Sequence, residues 1–306
     1  MRPYLIRRAG FAALVAFGVS TIVFFLLHLI PGDPVEMMLG EMAQPGDLLA
    51  LRRNLGLDRP LVEQYLDFIQ RLVRGDLGTS LHYDRPVVQV ILSRLPATAL
   101  LAFSGVGVAL LIALPLGLLS AIYRGTALDV AAGFVSLIGV SMPNFWLGPL
   151  LILLFSIHLG WFPVSGNASL QHLFLPAITL GTALGAILTR MIRTSMIEVL
   201  GEEYVTTARS KGLSPRTVLL KHALRNALFP VITLLGLQFG TLLTGAIITE
   251  TIFAWPGIGR MVVQAISTRD YPLVQGAVFV IALSYIVVNL IVDLLYGWLD
   301  PRVTYE

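Results

Sequence analysis

Residues 130–189 read VAAGFVSLIGVSMPNFWLGPLLILLFSIHLGWFPVSGNASLQHLFLPAITLGTALGAILT and contain no Asp, Glu, Lys or Arg. A helix needs about 20 apolar residues to cross the hydrocarbon core of a membrane. The stretch is too long for one crossing, and the turn-forming residues 161–167 interrupt it. It therefore predicts two membrane-spanning helices, at about 131–158 and 173–190.

The composition of the whole chain agrees with this reading. Only 13% of the residues are charged, against about 25% in soluble domains, and the mean hydropathy is +0.81. Four further apolar stretches are long enough to span, at about 10–30, 97–122, 227–249 and 274–298. The first is longer than the core of a signal peptide and no small-residue cleavage site follows it, so an uncleaved span is favoured. We predict an all-α membrane protein with six transmembrane helices.

The distribution of Lys and Arg predicts the orientation of these helices. With the N-terminus inside, the inner segments hold twelve basic residues, whereas the two short outer connections hold only Arg260 and Arg269. Because basic residues concentrate in cytoplasmic connections, both termini are predicted to be cytoplasmic. The pI of about 9.3 then reflects topology and does not require a nucleic-acid partner.

The chain lacks the residue patterns of the common catalytic and metal sites. It has no cysteine, no phosphate-binding P-loop, no H-E-x-x-H and no G-x-S-x-G. Its five histidines have no metal-like spacing, and His28 is expected to be a satisfied histidine at the outer end of the first span. The spans are nearly free of ionisable groups, so the energy for any pumping would enter from another subunit.

Two segments outside the membrane stand out. Residues 31–96 form a mixed-charge outer segment, in which Asp58-Arg59-Pro60 favours a helix start and Gly75 a helix end. This segment is either a helical cap on its own bundle or a docking surface for an extracytoplasmic partner. Residues 190–226 form the main cytoplasmic loop, with a helix predicted from 195 to 211 and a second from 215 toward 225.

Between these two helices the chain predicts an elbow around Gly212, which the small residues Thr207 and Ala208 keep slim. Gly212 suits a helix C-terminus that needs positive φ, and Ser214-Pro215 is a typical helix start. An elbow exposed to the cytoplasm would offer its backbone to another protein, although a simple connector under the bundle is the alternative. Within the spans, polar residues either line a pathway or join helices; the pathway candidates are Asn144, Gln238, Thr241 and Thr244.

Six segments carry a family resemblance: 28–34 (HLIPGDP), 75–80 (GDLGTS), 203–213 (EYVTTARSKGL), 222–227 (HALRNA), 250–259 (ETIFAWPGIG) and 269–272 (RDYP). With them the chain resembles the membrane subunits of bacterial ABC importers for peptides and nickel, and in particular the first permease of dipeptide, oligopeptide and glutathione systems. The resemblance covers nearly the whole chain. Compared with the broader importer motif, Thr206 stands in place of its glutamate, so no role of that glutamate transfers to Thr206.

The resemblance implies a type I ABC importer permease fold in the bacterial inner membrane. This chain would be one permease, without catalytic residues or a cofactor of its own, paired with a second homologous permease. Two ATPase subunits would bind ATP and Mg, and an extracytoplasmic substrate-binding protein would deliver the solute; membrane lipid surrounds the complex and no nucleic acid takes part. The residues implied to couple to the ATPase are Glu203, Tyr204, Thr206, Thr207, Ala208, Lys211, Gly212 and Leu213.

The implied domains are an N-terminal helix at 1–30, the outer segment at 31–96, the permease domain at 97–298 with its coupling loop at 190–226, and a tail at 299–306. An ion-coupled secondary transporter is the alternative function, and the charge-poor spans argue against it.

Overall fold

The computed structural model describes residues 2–29, 35, 44–54 and 56–299, and most of these residues are helical. Within these ranges no strand occurs, and one isolated β-bridge joins Thr79 to Pro86. The all-α prediction is confirmed. In chain order the helices are α1 (Arg2–Leu29), α2 (Pro45–Asn54), α3 (Leu61–Val73), α4 (Val87–Ile122), α5 (Ala127–Ser141), α6 (Asn144–Leu151, followed by a π-helical stretch, Ile152–His158), α7 (Leu170–Leu200), α8 (Glu203–Ser210), α9 (Pro215–Thr217, a π-helical stretch at Val218–Ala223, and Leu224–Ile252), α10 (Ile258–Ser267) and α11 (Tyr271–Leu299).

Several of these helices match the length and polarity of a membrane span. In the described part of the chain, four helical segments are long and apolar enough to cross: α4, α7, Pro215–Gln238 of α9 and Tyr271–Ile291 of α11. The pair α5 and α6 makes a fifth if it is counted as one span. Helix α1 contains a shorter apolar stretch, Gly10–Phe25. Six crossings and cytoplasmic termini therefore stay predictions.

The predicted span at 131–158 is not one straight helix. Helix α5 ends at Ser141, and the segment Asn144–His158 leaves it at an angle of 102°. The cause is Pro143, which disfavours helical dihedrals at the residue before it. Met142 accordingly has an extended ψ of 111°. The bend points to a broken span or a re-entrant segment in place of the straight crossing.

The helix boundaries in the predicted cytoplasmic loop, residues 190–226, also differ from the prediction. Helix α7 continues ten residues beyond 190, to Leu200, and a turn at Gly201 and Glu202 separates it from α8. The single helix predicted from 195 to 211 is therefore wrong. The second predicted helix, at 215–225, is the beginning of α9 and continues without interruption into the apolar part of that helix.

The chain divides into two compact units. The larger unit comprises the described residues of Ala97–Pro256 and Val288–Thr304, and α7 lies in its centre, packed against α5, α6 and α9. Small residues allow close helix packing here: a Cβ on Gly181 would lie 2.5 Å from the carbonyl oxygen of Gly105 on α4. Gly185, one turn further on α7, approaches Ala109 in the same way. Such small residues let membrane helices pack backbone to backbone.

The smaller unit comprises the described residues of Met1–Pro96 and Gly257–Val287. Helix α3 confirms the predicted outer helix, and its end is followed by Gly75 with a positive φ of 76°. Its apolar core joins the start of α4 to α10 and to the start of α11. His28 contacts the backbone oxygen of Phe24 (2.7 Å) and Gln64 Oε1 (3.3 Å), which confirms it as a satisfied histidine.

Candidate functional site

Helix α8 and the elbow form the candidate coupling site. Two side chains of α8, Val205 and Ala208, are buried and pack with Val218 of the π-helical stretch of α9. This small apolar cluster fixes the inner face of α8, because burying the three side chains removes apolar area from water. The opposite face of α8 is left exposed to solvent.

Most of the predicted coupling residues lie on that exposed surface. Those with exposed positions are Glu203, Tyr204, Thr206, Thr207, Lys211, Gly212 and Leu213. Ala208 differs, since only 7% of it is exposed and it belongs to the inward cluster. A role of Ala208 in coupling would therefore consist of holding α8 against α9, and direct contact of its side chain with a partner is not supported.

A second contact between α8 and α9 was missed by sequence reasoning. The Tyr204 hydroxyl accepts a hydrogen bond from Nδ2 of Asn226 at 2.7 Å. The same hydroxyl donates to the backbone oxygen of His222 at 3.4 Å. Tyr204 was predicted only as a coupling residue, yet its phenol ties α8 to α9. The segment 222–227 contained the signal, since it holds an amide side chain within a run that resembles the importer family.

The elbow has the geometry that Gly212 predicts. Gly212 has a φ of +77°, in the left-handed region, and no atom lies within 4 Å of a Cβ placed on it. Its N–H donates to Arg209 O at 2.9 Å, and the N–H of Leu213 donates to Ala208 O at 3.4 Å. This pair of bonds is the Schellman arrangement of a helix C-terminus.

The start of α9 confirms the other half of the elbow. Ser214 Oγ accepts a hydrogen bond from the N–H of Thr217 at 3.3 Å, and Pro215 occupies the first helical turn. A capping serine satisfies one of the free N–H groups of a helix start. The elbow is therefore fixed at both ends by the main chain and by short side chains.

A partly buried ion pair in the larger unit joins three helices. The guanidinium of Arg193 on α7 donates to both oxygens of Asp129 on α5, Nε at 2.7 Å and Nη2 at 2.8 Å. Asp129 also accepts from the hydroxyl of Ser120 on α4 and from the N–H of Gly125 at 3.0 Å. Such a bidentate pair, with its further hydrogen bonds, fixes the relative positions of the helices that carry it.

The sequence carried a signal for this pair that the prediction did not use. Asp129 immediately precedes the uncharged stretch 130–189, and Arg193 follows its end by four residues. Two crossings by residues 130–189 would return the chain to the side from which it started. Asp129 and Arg193 would then lie on the same side of the membrane, where they can form an ion pair.

The predicted pathway residues lie on two helices of the larger unit that pack together. Asn144 is half-buried at the start of α6, directly after the bend. Gln238 is half-buried on α9, and Thr241 and Thr244 follow on the same helix. Helices α6 and α9 contact each other, which Gly148 illustrates: its Cβ position lies 3.3 Å from Ile252. The assignment of these residues to a pathway stays a prediction.

Two of the segments that carry the family resemblance contact each other in the smaller unit. The carboxylate of Asp270 is fully buried and accepts from Ser80 Oγ at 2.5 Å and from the N–H of His82 at 3.1 Å. It also caps α11 by accepting from the N–H of Leu273 at 3.2 Å. The segments 75–80 and 269–272 are thus joined through one carboxylate.

Residues 250–256 of a third segment, 250–259, are fixed inside the larger unit. Glu250 is fully buried and accepts from Thr98 Oγ1 at 2.6 Å. Trp255 Nε1 donates to the backbone oxygen of Ala97 at 2.9 Å. Ala254 between them has a φ of +51°, a conformation rare for a residue with a Cβ. These contacts give the segment a role within the chain's own fold.

Comparison with known families accounts for this architecture. Residues 113–305 match the family of binding-protein-dependent transport system inner membrane components, and residues 1–102 match the N-terminal model of the same membrane component. The chain belongs to this family. It is therefore a transport component of the bacterial inner membrane that crosses the membrane several times, and it is not an enzyme.

Individual relatives match over their whole length. The di/tripeptide transport system permease protein DppB of Pseudomonas aeruginosa is 45% identical, and the dipeptide transport system permease protein DppB of Escherichia coli K12 is 42% identical. The glutathione transport system permease protein GsiC of Escherichia coli K12 is 41% identical. Each comparison covers 100% of this chain and 100% of the relative.

Solved structures share the fold. The MetNI methionine ABC transporter in an inward-facing conformation matches with a TM-score of 0.56 and 15% identity, over 70% of this chain and 97% of that chain. An amino acid ABC transporter matches with a TM-score of 0.52 and 19% identity, over 71% and 95%. The type I ABC importer permease fold is confirmed, and an ion-coupled secondary transporter is excluded. The family implies a transporter complex with ATPase and binding-protein partners and no cofactor in this chain.

Proposed function

We propose that the chain is one of two homologous permeases in an ATP-driven importer of short peptides or a chemically related small solute. The observation that carries the proposal is the exposed elbow, which is rigidly capped at both ends and tied to α9. The full-length similarity to di/tripeptide, dipeptide and glutathione permeases supports the substrate class. In this proposal ATP and Mg bind to two partner ATPases, and a binding protein delivers the solute from outside.

The proposed mechanism follows from how the elbow is attached. An ATPase that closes on ATP would move the elbow as a rigid body, since α8 cannot slide on α9 without breaking the Val205–Val218 packing and the Tyr204–Asn226 bond. Helix α9 would carry the displacement into the membrane-spanning region. Alternating access then arises from rigid-body motion of helices around a pathway between the two permeases, to which Asn144 and Gln238 are proposed to contribute.

The composition of the complex can be tested directly. Tagged chain purified in mild detergent should retain a second permease and ATPase subunits, and proteoliposomes of that complex should take up peptide only with ATP and the loaded binding protein. Uptake that persists without ATP and stops when an ion gradient is dissipated would contradict the proposal. So would full uptake activity from a homo-oligomer of this chain alone.

The proposed orientation has an equally direct test, because the chain contains no cysteine. Single-cysteine variants Ser210→Cys on α8 and Asp58→Cys in the outer segment introduce one reactive thiol each at exposed positions. In intact cells, a membrane-impermeant maleimide should label Asp58→Cys and should label Ser210→Cys only after the cells are opened. The reverse pattern would invert the orientation. It would also remove the elbow from the cytoplasm and with it the coupling role.

The outer segment is proposed to help dock the binding protein. Its described part carries both signs of charge on exposed residues, including the Asp67–Arg71 pair, with N to O at 3.0 Å. Such surface charges steer association more than they add affinity. Reversing exposed charges here should slow binding-protein-dependent uptake most strongly at low salt. Unchanged uptake at every salt concentration would leave the segment as a cap of its own bundle.

A further inference from the structure

A cavity of about 360 Å³ lies within the smaller unit, near the C-terminal end of α1. It is bounded by α1, by the segment from Gly56 through α3 to Leu81, and by the first turns of α11. Cavities that bind small molecules have volumes of roughly 300–1,000 Å³. The size therefore suits a small solute, and neither the coupling site nor the pathway candidates contribute a residue to it.

One part of the wall is aromatic. The rings of Phe24 and Phe68 stack with their centroids 5.5 Å apart, and His28 lies 4.4 Å from Phe24. Tyr271 of α11 continues this surface, with its centroid 5.9 Å from that of His28. Aromatic faces attract both apolar side chains and ammonium groups. Phe24 is buried, so the half-buried rings of His28, Phe68 and Tyr271 form the aromatic surface that is open to an organic cation with an apolar part.

The rest of the wall carries charges of both signs. Asp67 and Arg71 satisfy each other through their ion pair. Arg59 and Asp76 are exposed and also line the cavity, and the Asp76 carboxylate uses one oxygen to accept from the N–H of Gly78 at 2.9 Å. Among the residues that the structure describes, neither the other oxygen of Asp76 nor the guanidinium of Arg59 has a hydrogen-bond or ion-pair partner, so both can bind groups of opposite charge. A ligand with both an ammonium and a carboxylate group matches this pair.

We infer that this cavity is a binding site for a small zwitterion with an apolar side chain, that is, an amino acid or a short peptide. Arg59 binds the carboxylate, Asp76 binds the ammonium group, and the aromatic wall takes the side chain. The inference rests on the proposed function in one respect: if the orientation is correct, the site faces outward and receives solute on the side where the binding protein docks. The exposed, hydrated charges favour weak, rapidly exchanging binding.

The test uses the purified complex in lipid nanodiscs without the binding protein, and saturation-transfer NMR with glycyl-phenylalanine as the probe. Saturable binding is expected, and Arg59→Gln or Asp76→Asn should weaken it by about tenfold, the effect typical of losing one charge-assisted hydrogen bond. Asn at 76 keeps the oxygen that accepts from Gly78. The matched controls are Arg74→Gln and Asp58→Asn, which remove the same charges from exposed residues outside the cavity. Both controls should bind like wild type.

Further probes separate the sources of the ligand. If phenylalanine binds with the same affinity as the dipeptide, the cavity is an amino-acid site. If phenylalanine binds more weakly, the cavity is a peptide site. Both results support the inference. The N-acetylated, amidated dipeptide should not compete. Equal competition by this blocked dipeptide would show that the site does not recognise zwitterions, and the inference would be overturned. The same holds if phosphate competes and the zwitterion binds no more tightly than an acetylated acid. Binding that all four variants retain overturns it too.

Failure of the proposed function would look different. The same complex, given ATP and loaded binding protein, reports peptide uptake independently of binding to the cavity. Normal uptake with no cavity binding refutes only the site. Saturable, variant-sensitive binding without any ATP-dependent uptake refutes the proposed function and leaves the site standing.

Discussion

Replacing Gly212 by valine should uncouple the transporter without removing it from the membrane. The substitution forces a β-branched residue to adopt a φ of +77°. An L-residue in the left-handed region costs about 1–2 kcal/mol, and a β-branched residue costs more. No atom lies within 4 Å of the new Cβ, so this backbone strain is the main effect of the substitution.

Two backbone hydrogen bonds hold the native elbow in place against this strain. If the backbone at Gly212 leaves the left-handed region, the bonds from Gly212 to Arg209 and from Leu213 to Ala208 are lost. Each contributes a net of about 0.5–1.5 kcal/mol, so the two together are comparable to the strain. The valine variant should therefore populate both the native elbow and open forms. A change of about 2 kcal/mol shifts such an equilibrium by up to about 30-fold.

The assay compares three variants in nanodiscs that contain the whole complex. Gly212→Val should lose most ATP hydrolysis stimulated by the loaded binding protein, while Gly212→Asn should keep it, because asparagine tolerates left-handed dihedrals. Gly160→Val is the control for strain alone, since Gly160 also has a positive φ, of 65°, and an open Cβ position, and it lies outside the elbow. It should retain coupling.

Two results would refute this reasoning. Normal stimulated hydrolysis and uptake by Gly212→Val would show that the elbow geometry does not carry coupling. Disappearance of Gly212→Val from the membrane, with Gly160→Val present at normal amounts, would make Gly212 a residue needed for folding.

Three further predictions follow from contacts within the larger unit. Tyr204→Phe removes the bond to Asn226 and should lower stimulated ATP hydrolysis severalfold at unchanged protein level; unchanged hydrolysis would show that the tether is dispensable. Arg193→Gln leaves the carboxylate of Asp129 without its charged partner, so thermal unfolding in detergent should shift to lower temperature, and Arg193→Lys should restore only part of the shift because it cannot bind both oxygens at once. Gly181→Leu should prevent assembly, because its side chain collides with the backbone of α4; normal membrane amounts of intact complex would contradict the packing.

The elbow shows what the sequence predicts well. Gly212 and Ser214-Pro215 act through the local backbone, so their residue types alone indicate a left-handed cap and a helix start, and both were confirmed. The fold class also follows from the sequence, because the thickness of the membrane fixes the length of an uncharged stretch that can span it.

Contacts between distant segments could not be predicted in the same way. The Asp129–Arg193 pair and the Tyr204–Asn226 bond depend on which helix faces which, and apolar periodicity does not specify that. The extension of α7 to Leu200 was missed because loop boundaries were placed at the first charge, whereas a helix continues past the membrane surface as long as its backbone bonds are maintained. Pro143 explains why the helix ends after Ser141, but the angle of 102° between the two segments depends on packing.

The continuity of the helix that begins at Pro215 has a consequence for the mechanism. A separate surface helix there would be joined to the membrane by a flexible connection, and motion of the elbow would be dissipated in that connection. In the structure, α9 continues through the π-helical stretch Val218–Ala223 into the apolar helix without a break. The two contacts that hold α8, the Val205–Val218 packing and the Tyr204–Asn226 bond, both lie on this helix, at its first turns. Because α9 in turn packs along α7, a displacement of the elbow has a continuous helical route into the core of the larger unit.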